Sequence, residues 1–265
     1  MKIGFFDSGL GGLTILQATA QLLPEYDYVF FGDTKNLPYG DKTEEEIYQF
    51  SERAIADLFE RGCTLVVIAC NTASAETLRR LQDTFLFKHY PERRILGVII
   101  PTVEEVIDHH ARNVILLATK RTIESKKYET ELTNRTLHSP VMHGIATPEL
   151  VPLIEAGKLD MAVAHAAQTI SDTMTRVGEV DTVVLGCTHY TKLKTALREK
   201  FPNLRFISQD EVIPHKLQTY FRKHTDREKT LSRNGTRDII LSEHREDYDQ
   251  IVAELLNGSF IGKGN

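Results

Sequence analysis

The sequence contains few cysteines and no tryptophan: three and none, respectively, among 265 residues. An odd and small number of cysteines excludes a disulfide-stabilised scaffold and predicts reduced thiols. Long apolar runs are also missing, since none approaches the roughly 18 residues that a membrane-spanning helix needs. Asp7 interrupts the N-terminal apolar stretch before a signal-peptide core could form. We therefore expect a cytoplasmic protein that is not attached to a membrane.

A strong excess of one charge is absent as well. The formal net charge is -5 and the isoelectric point is near 6.1, so the chain has no overall attraction for nucleic acid or anionic lipid. The basic residues within 222–233 alternate with acids and hydroxyls, which is typical of solvated helix faces. We predict no nucleic-acid partner.

Two of the cysteines end segments of the same design. Residues 64–70 and 181–187 each begin with a polar residue, continue through a Val-Val pair, an aliphatic residue and a small residue, and end at Cys70 or Cys187. Such short, β-branched apolar runs predict strands that are buried on both faces of a parallel sheet. Each cysteine then falls at the carboxyl end of its strand, where open α/β sheets bind ligands.

The residues after each cysteine predict the start of a helix. Asn71 or Thr72 is a plausible N-cap in the first segment, and Thr188 in the second. Unpaired N–H groups at a helix start favour a thiolate over a thiol. The alternative is that Cys70 and Cys187 only pack as small apolar side chains.

The N-terminus predicts a strand, a glycine-rich turn over residues 7–12 and a helix, an arrangement that suits a bound carboxylate or phosphate. A dinucleotide fingerprint is weak here, because Thr14 stands where a third glycine is expected and Asp7 would repel a pyrophosphate. The turn-rich residues 32–40 form either a loop that covers a pocket, with Tyr39 closing on the ligand, or an ordinary surface loop.

Strands and helices alternate along the whole chain, with a further strand predicted over residues 95–100 and a helix from Pro101. The alternation indicates an α/β fold. Together with the repeated cysteine segment, it predicts two similar, doubly wound, mostly parallel-sheet domains, with the active site in the cleft between them.

Two thiols on opposite walls of a cleft suit a reaction that removes a proton from one face of a carbon and returns one to the other face. The carboxylate of Asp7 would raise the pKa of Cys70, so it is better suited to accept the proton of Cys70 or to bind a substrate ammonium. His189, close to Cys187 in sequence, can act as a base or an imidazolium, and Glu155 could orient it.

Several segments resemble the glutamate racemases of bacterial cell-wall synthesis: residues 7–12, 32–40, 70–74, 151–155 and 186–190. The resemblance implies an isomerase that interconverts L- and D-glutamate without a cofactor or metal, the D form supplying peptidoglycan synthesis. It also implies a homodimer and a two-domain α/β fold with pseudo-symmetry, in which the C-terminal segment returns to the first domain. On this basis we expect residues 1–97 plus 208–265 in the first domain and residues 98–207 in the second.

The resemblance also assigns roles to particular residues. It implies that Cys70 takes the proton from D-glutamate and Cys187 from L-glutamate. The residues assisting these two thiols are Asp7, His189 and Glu155. The implied substrate contacts are Asp7, Ser8, Tyr39, Gly40, Asn71, Thr72, Thr119, Thr122, Thr188 and His189. Two segments depart from the family pattern: Thr191-Lys192 replaces the usual Pro-Leu, and Ser208-Gln209-Asp210 replaces an Asp-Ser pair.

Other functions compete with this interpretation. A related enzyme could act on aspartate or another small acid. A metal hydrolase could use Cys70, Cys187, His189 and Asp7 as zinc ligands. A regulatory module could bind a nucleotide at the glycine-rich turn.

Overall fold

The computed structural model describes residues 1–137 and 139–255, and its strands form two separate sheets. The first sheet has the strand order β4-β3-β1-β2-β9, and the second has the order β6-β5-β7-β8. Every neighbouring pair of these described strands is parallel. The strands are β1 (Lys2–Asp7), β2 (Tyr28–Gly32), β3 (Cys63–Ile68), β4 (Arg94–Gly97), β5 (Asn113–Ala118), β6 (Val141–Ala146), β7 (Thr182–Gly186), β8 (Arg205–Ser208) and β9 (Arg237–Leu241).

The two sheets repeat one topology. Reading from β4 to β2 gives the order 4-3-1-2, and reading from β8 to β6 gives the equivalent order 8-7-5-6. β9 is an addition to the first sheet, beside β2, and brings the chain back to it late in the sequence. The prediction of two similar α/β units is confirmed, and the cysteine strands β3 and β7 hold equivalent positions.

Helices connect the strands. They are α1 (Leu13–Leu22), α2 (Glu44–Glu60), α3 (Asn71–Arg80), α4 (Phe87–His89), α5 (Ile99–Asp108), α6 (Lys120–Glu124), α7 (Lys127–Arg135), α8 (Leu150–Glu155), α9 (Leu159–Val177), α10 (Lys194–Lys200), α11 (Gln209–Lys223), α12 (Thr225–Glu228) and α13 (Glu246–Leu255). Short 3-10 turns cover Thr34–Asn36, Tyr39–Asp41 and Thr188–Leu193, and a π-helical stretch covers Leu81–Leu86. None of the helices within the described residues has the length and apolarity to cross a bilayer.

Each sheet carries an apolar cluster on both of its faces, which is why its central strands are apolar at consecutive positions. In the first sheet, one cluster includes Leu16 of α1 and Leu217 of α11, and the opposite cluster includes Leu58 of α2. The second sheet is covered in the same way by Ile170 of α9 on one face and Leu132 of α7 on the other. With helices on both faces, both sheets are doubly wound, as predicted.

One strand boundary differs from the prediction. β4 ends at Gly97 and α5 already begins at Ile99, so a strand over residues 95–100 and a helix from Pro101 are wrong. Pro101 lies in the first turn of α5, where a missing N–H costs no intrahelical hydrogen bond.

Candidate active site

The carboxyl ends of the two sheets meet through their loops. A Cβ atom added to Gly11 would lie 2.5 Å from Thr188 Oγ1 and 3.0 Å from the backbone nitrogen of His189. Only glycine therefore permits this approach. A hydrogen bond of 3.4 Å from Thr191 to Thr14, in the first turn of α1, lies next to this contact. The glycine-rich turn of the first sheet therefore packs directly on the second cysteine loop.

Cys70 lies between β3 and α3 and is 6% exposed. Its sulfur is 3.3 Å from Ser8 Oγ and accepts a hydrogen bond of 3.4 Å from the Ala73 N–H. The thiol itself is the N-cap of α3. The prediction that Asn71 or Thr72 caps this helix is wrong, because the sulfur occupies that position and accepts the N–H.

The surroundings of Cys70 keep it protonated. Burial and then the charge of Asp7 raise its pKa to about 12, although the hydrogen bonds with Ser8 and Ala73 lower it. The N–H at the helix start lowers the pKa, as expected, but desolvation outweighs this effect. The electrostatic effect of Cys187 also raises this pKa.

Asp7 ends β1 and is fully buried. Its Oδ2 accepts hydrogen bonds from the N–H groups of Gly9 and Gly12 at 3.3 and 3.0 Å. Its Oδ1 is buried and has no hydrogen-bond partner in the described part of the chain. Burial raises the pKa of Asp7, against the opposing effects of His189 and the backbone N–H groups. One oxygen is thus held by the turn and the other is available to a proton or a cation.

Cys187, 7% exposed, precedes the 3-10 turn Thr188–Leu193. It occupies the N-cap position without a side-chain capping bond, so the prediction of Thr188 as N-cap is also wrong. Its sulfur is 3.8 Å from His189 Nδ1, and His189 Nε2 is 3.1 Å from Glu155 Oε1. These three side chains form a row, as the sequence suggested.

His189 carries a positive charge at neutral pH. Burial lowers its pKa, but the hydrogen bonds and negative charges of Cys187 and Glu155 together outweigh burial and raise the pKa to about 10. The Glu155 side chain is 45% exposed. A cavity of about 360 Å³ lies beside it and is also lined by Leu10, Lys192 and Tyr248 among others. The row therefore runs from the buried sulfur toward solvent.

Three threonines join the two halves beside the cysteines. Thr72 Oγ1 of α3 is 2.9 Å from Thr119 Oγ1 and 3.4 Å from Thr122 Oγ1, and the last two are 2.9 Å apart. Thr119 follows β5 and caps α6. These hydroxyls form a polar strip that reaches from the first sheet to the second.

The loop over residues 32–40 also reaches the second half. A Cβ atom on Gly40 would make ordinary contact with Thr119 Cβ at 3.6 Å. Tyr39 is 2% exposed and donates a hydrogen bond of 2.6 Å to Asp33. The loop is therefore anchored by a buried tyrosine and is not an exposed surface loop.

Sequence reasoning missed two groups of contacts. Ser8 was expected to touch the substrate, but it is also a direct neighbour of the Cys70 sulfur. Asn71 is held by Tyr128 and Gln209, and neither of these belongs to a motif that resembles the racemases. The only sequence feature that pointed to Gln209 was the difference from the family pattern at residues 208–210. Nothing in the sequence singled out Tyr128.

The family model described as Asp/Glu/Hydantoin racemase matches residues 13–213.

The chain belongs to the Asp/Glu/Hydantoin racemase family.

This family is one of isomerases, and the resemblance to glutamate racemases is confirmed. A glutamate racemase of Ruegeria pomeroyi is 34% identical over 84% of this chain and 86% of its own length. The crystal structure of a Bacillus anthracis glutamate racemase has a TM-score of 0.82 at 26% identity, covering 97% of this chain and 94% of that one. The Thermus thermophilus enzyme, solved with β-chloro-D-alanine, has a TM-score of 0.79 at 29% identity, covering 99% and 94%.

A metal site was one alternative function for the same residues. Within residues 1–137 and 139–255, no group of three or more His, Cys, Asp or Glu side chains is arranged to hold a metal ion. The polar neighbours of Cys70 are instead a hydroxyl and a backbone N–H.

Proposed function

We propose that this protein interconverts L- and D-glutamate by proton transfer at Cα, without a cofactor or metal. The observation that carries the proposal is the pair of buried cysteines that follow the equivalent strands β3 and β7. Two thiols facing one carbon from opposite sides can remove and return a proton on opposite faces. The glutamate racemase activity named for the relatives supports glutamate as the substrate.

The protonation states favour one direction of transfer. Cys70 is a thiol at neutral pH, and His189 is an imidazolium 3.8 Å from the Cys187 sulfur. In this proposal Cys187, beside that imidazolium, takes the Cα proton of L-glutamate, and Cys70 donates its proton to the opposite face.

The reverse direction starts from D-glutamate and requires Cys70 to act as the base. Ser8 contacts the sulfur directly, and Asp7 has one buried oxygen without a hydrogen-bond partner in the described residues. We assign Asp7 to accept the Cys70 proton or to bind the substrate ammonium. His189 then supplies a proton to Cys187, and Glu155 holds the imidazole in place.

The remaining polar groups bind the substrate in this proposal. Their hydroxyls, amides and backbone N–H groups suit the two carboxylates of glutamate. The residues assigned to this role, besides Asp7 and His189, are Ser8, Tyr39, Gly40, Asn71, Thr72, Thr119, Thr122 and Thr188.

We further propose that residues 1–97 plus 208–265 form one domain and residues 98–207 the other. The membership of the strands in the two sheets supports this division, except that the last residue of β8, Ser208, falls on the other side of the boundary. Residues 256–265 lie outside the described part of the chain. A cytoplasmic homodimer that supplies D-glutamate for peptidoglycan is proposed from the resemblance to glutamate racemases.

A chiral assay tests the proposed function. The purified protein, treated with chelator and without added cofactor, is incubated with each enantiomer of glutamate and, separately, of aspartate. We expect glutamate to reach a mixture of both enantiomers from either side, with kcat/KM well above that for aspartate. Preference for aspartate would correct the substrate, and no turnover of either acid would contradict the proposal.

A further inference from the structure

The first residue of α3 is held by a hydrogen-bonded network. Asn71, directly after Cys70, is 2% exposed. Its Oδ1 accepts a hydrogen bond of 2.7 Å from the Tyr128 hydroxyl and one of 3.4 Å from Gln209 Nε2. Gln209 Nε2 also lies 3.3 Å from the Tyr128 oxygen. All three side chains are buried, so water does not compete for these contacts.

The network connects the two sheets. Asn71 follows the cysteine strand of the first sheet. Tyr128 lies on α7 and belongs to the apolar cluster of the second sheet, together with Val114 and Val184. Gln209 is the first residue of α11, immediately after β8 of the second sheet. The orientation of the Asn71 carboxamide is thus set by Tyr128 from the opposite half of the molecule and by Gln209 at the boundary between the two halves.

The other end of the Asn71 carboxamide is free to bind a ligand. Asn71 Nδ2 is buried and has no hydrogen-bond partner among the residues that the structure describes. A buried donor without a partner destabilises the folded protein by its desolvation free energy, and a hydrogen-bond acceptor on a ligand would offset this penalty. Asn71 lies between Cys70 and Thr72, both of which line the proposed site, and a substrate carboxylate is an acceptor of the required kind.

Building on the proposed function, we propose that Tyr128 and Gln209 are positioning residues. They hold Asn71 Oδ1, so that Asn71 Nδ2 points at a carboxylate of the substrate. Gln209 lies in the segment 208–210 that replaces the Asp-Ser pair of the family pattern. The network therefore orients a substrate-binding group of the first half through a contact with Tyr128 of the second half.

The test is a double-mutant cycle on Tyr128→Phe and Asn71→Ala. Tyr128→Phe removes the hydroxyl without changing the ring. We expect KM for both glutamate enantiomers to rise about 2- to 10-fold, the value of one net hydrogen bond, with a smaller change in kcat. In the Asn71→Ala background, Tyr128→Phe should change KM no further, because the residue on which it acts is missing.

Two further variants complete the design. Tyr28→Phe is the matched control, since Tyr28 is another fully buried tyrosine whose hydroxyl donates to a backbone oxygen, that of Leu23, at 2.9 Å. It should lose stability but keep the wild-type KM. Gln209→Met keeps the side-chain length but removes the hydrogen bonds of 3.4 and 3.3 Å that Gln209 makes to Asn71 and Tyr128. These are longer than the bond from Tyr128, so KM should rise by less than in Tyr128→Phe. This variant also tests the network if Tyr128→Phe does not fold.

The outcomes separate this inference from the proposed function. An active wild type whose KM is unchanged by Tyr128→Phe or Gln209→Met would overturn the positioning role alone. Effects of Tyr128→Phe that are equal with and without Asn71 would do the same, since they would show a purely structural role. A wild type that does not racemise glutamate would overturn both proposals.

Discussion

Cys70 and Cys187 hold equivalent positions but have different neighbours. Cys70 contacts the Ser8 hydroxyl and lies in the electrostatic field of the buried Asp7, whereas Cys187 lies beside the imidazolium of His189. Burial and the charge of Asp7 keep Cys70 a neutral thiol. Pseudo-symmetry of the fold is thus combined with asymmetry of charge, which allows one cysteine to give a proton while the other takes one.

Replacing either cysteine by serine should abolish most of the activity. A serine hydroxyl is a far weaker acid, so we expect kcat to fall about 10²- to 10⁴-fold in Cys70→Ser and in Cys187→Ser, the range for losing a positioned acid or base. The measurement is steady-state racemisation from both enantiomers. Cys63→Ala is the control: Cys63 packs in the apolar cluster of the first sheet and should keep its activity at reduced stability. Near-normal turnover in either serine variant would contradict the two-thiol mechanism.

The charge of His189 predicts how stability depends on pH. Its pKa is raised to about 10 in the folded protein, against about 6.5 in an unfolded chain. The folded state therefore binds the extra proton, so this contribution is complete below about pH 6.5 and is lost as the pH rises through about 10. Urea midpoints measured from pH 7 to 10 should fall more steeply for the wild type than for His189→Gln. Parallel curves for the two proteins would rule out the raised pKa.

Much of the residue chemistry could be predicted from sequence, but not its energetics. The pairing of His189 with Glu155 followed from motif positions, and the structure brings these two side chains together. The effect of Asp7 on the pKa of Cys70 was predicted with the correct sign. The larger effect of burial could not be predicted, because it depends on how completely the fold removes water from the thiol. The helix start that favoured a thiolate in the sequence is present, but its effect is smaller than that of burial.

At the scale of elements, the glycine-rich turn after β1 has two functions. Its N–H groups hold Asp7, and Gly11 lets the turn pack against the 3-10 turn that follows Cys187. Both functions require glycine, because a side chain at these positions would block the close approach of the backbone. The same short segment therefore sets the position of one acid group and the distance between the two cysteine loops.

Gly11→Ala tests the role of this close approach. Its Cβ would lie 2.5 Å from Thr188 Oγ1, so the loops must move apart and the two sulfurs with them. Because misplacing reacting groups by about 1 Å costs about 10²-fold in rate, we expect a loss of that order in kcat. In the control Gly4→Ala, the new Cβ meets Val66 within the first sheet at 3.0 Å. This variant should lose stability and keep its specific activity, and equal activity losses in both would contradict the interpretation.

Element boundaries were predictable where the pattern changed sharply and not elsewhere. β3 and β7 were recognised because each apolar run stops at a small residue followed by cysteine. β4 was predicted too long, because Ile99 and Ile100 continue its apolar run although they already belong to α5. Consecutive apolar residues do not distinguish a buried strand from the first turn of a buried helix.

At the scale of the whole molecule, the repeated cysteine strand was enough to predict two similar sheets and a site between them. Contacts between distant parts of the chain were beyond the sequence. The network of Asn71, Tyr128 and Gln209 joins residues that are far apart in sequence and follow no shared pattern. It exists because the fold places α3, α7 and the start of α11 together where the two sheets meet.

The most direct test of the two-thiol mechanism is racemisation in heavy water. Pure L-glutamate and pure D-glutamate are converted separately by the protein without added cofactor, and the newly formed enantiomer is analysed by mass spectrometry at low conversion. Since each product receives its Cα hydrogen from a cysteine that exchanges with solvent, we predict deuterium at Cα of the product from both directions. Product that keeps the original protium, or no exchange from either enantiomer, would contradict the account.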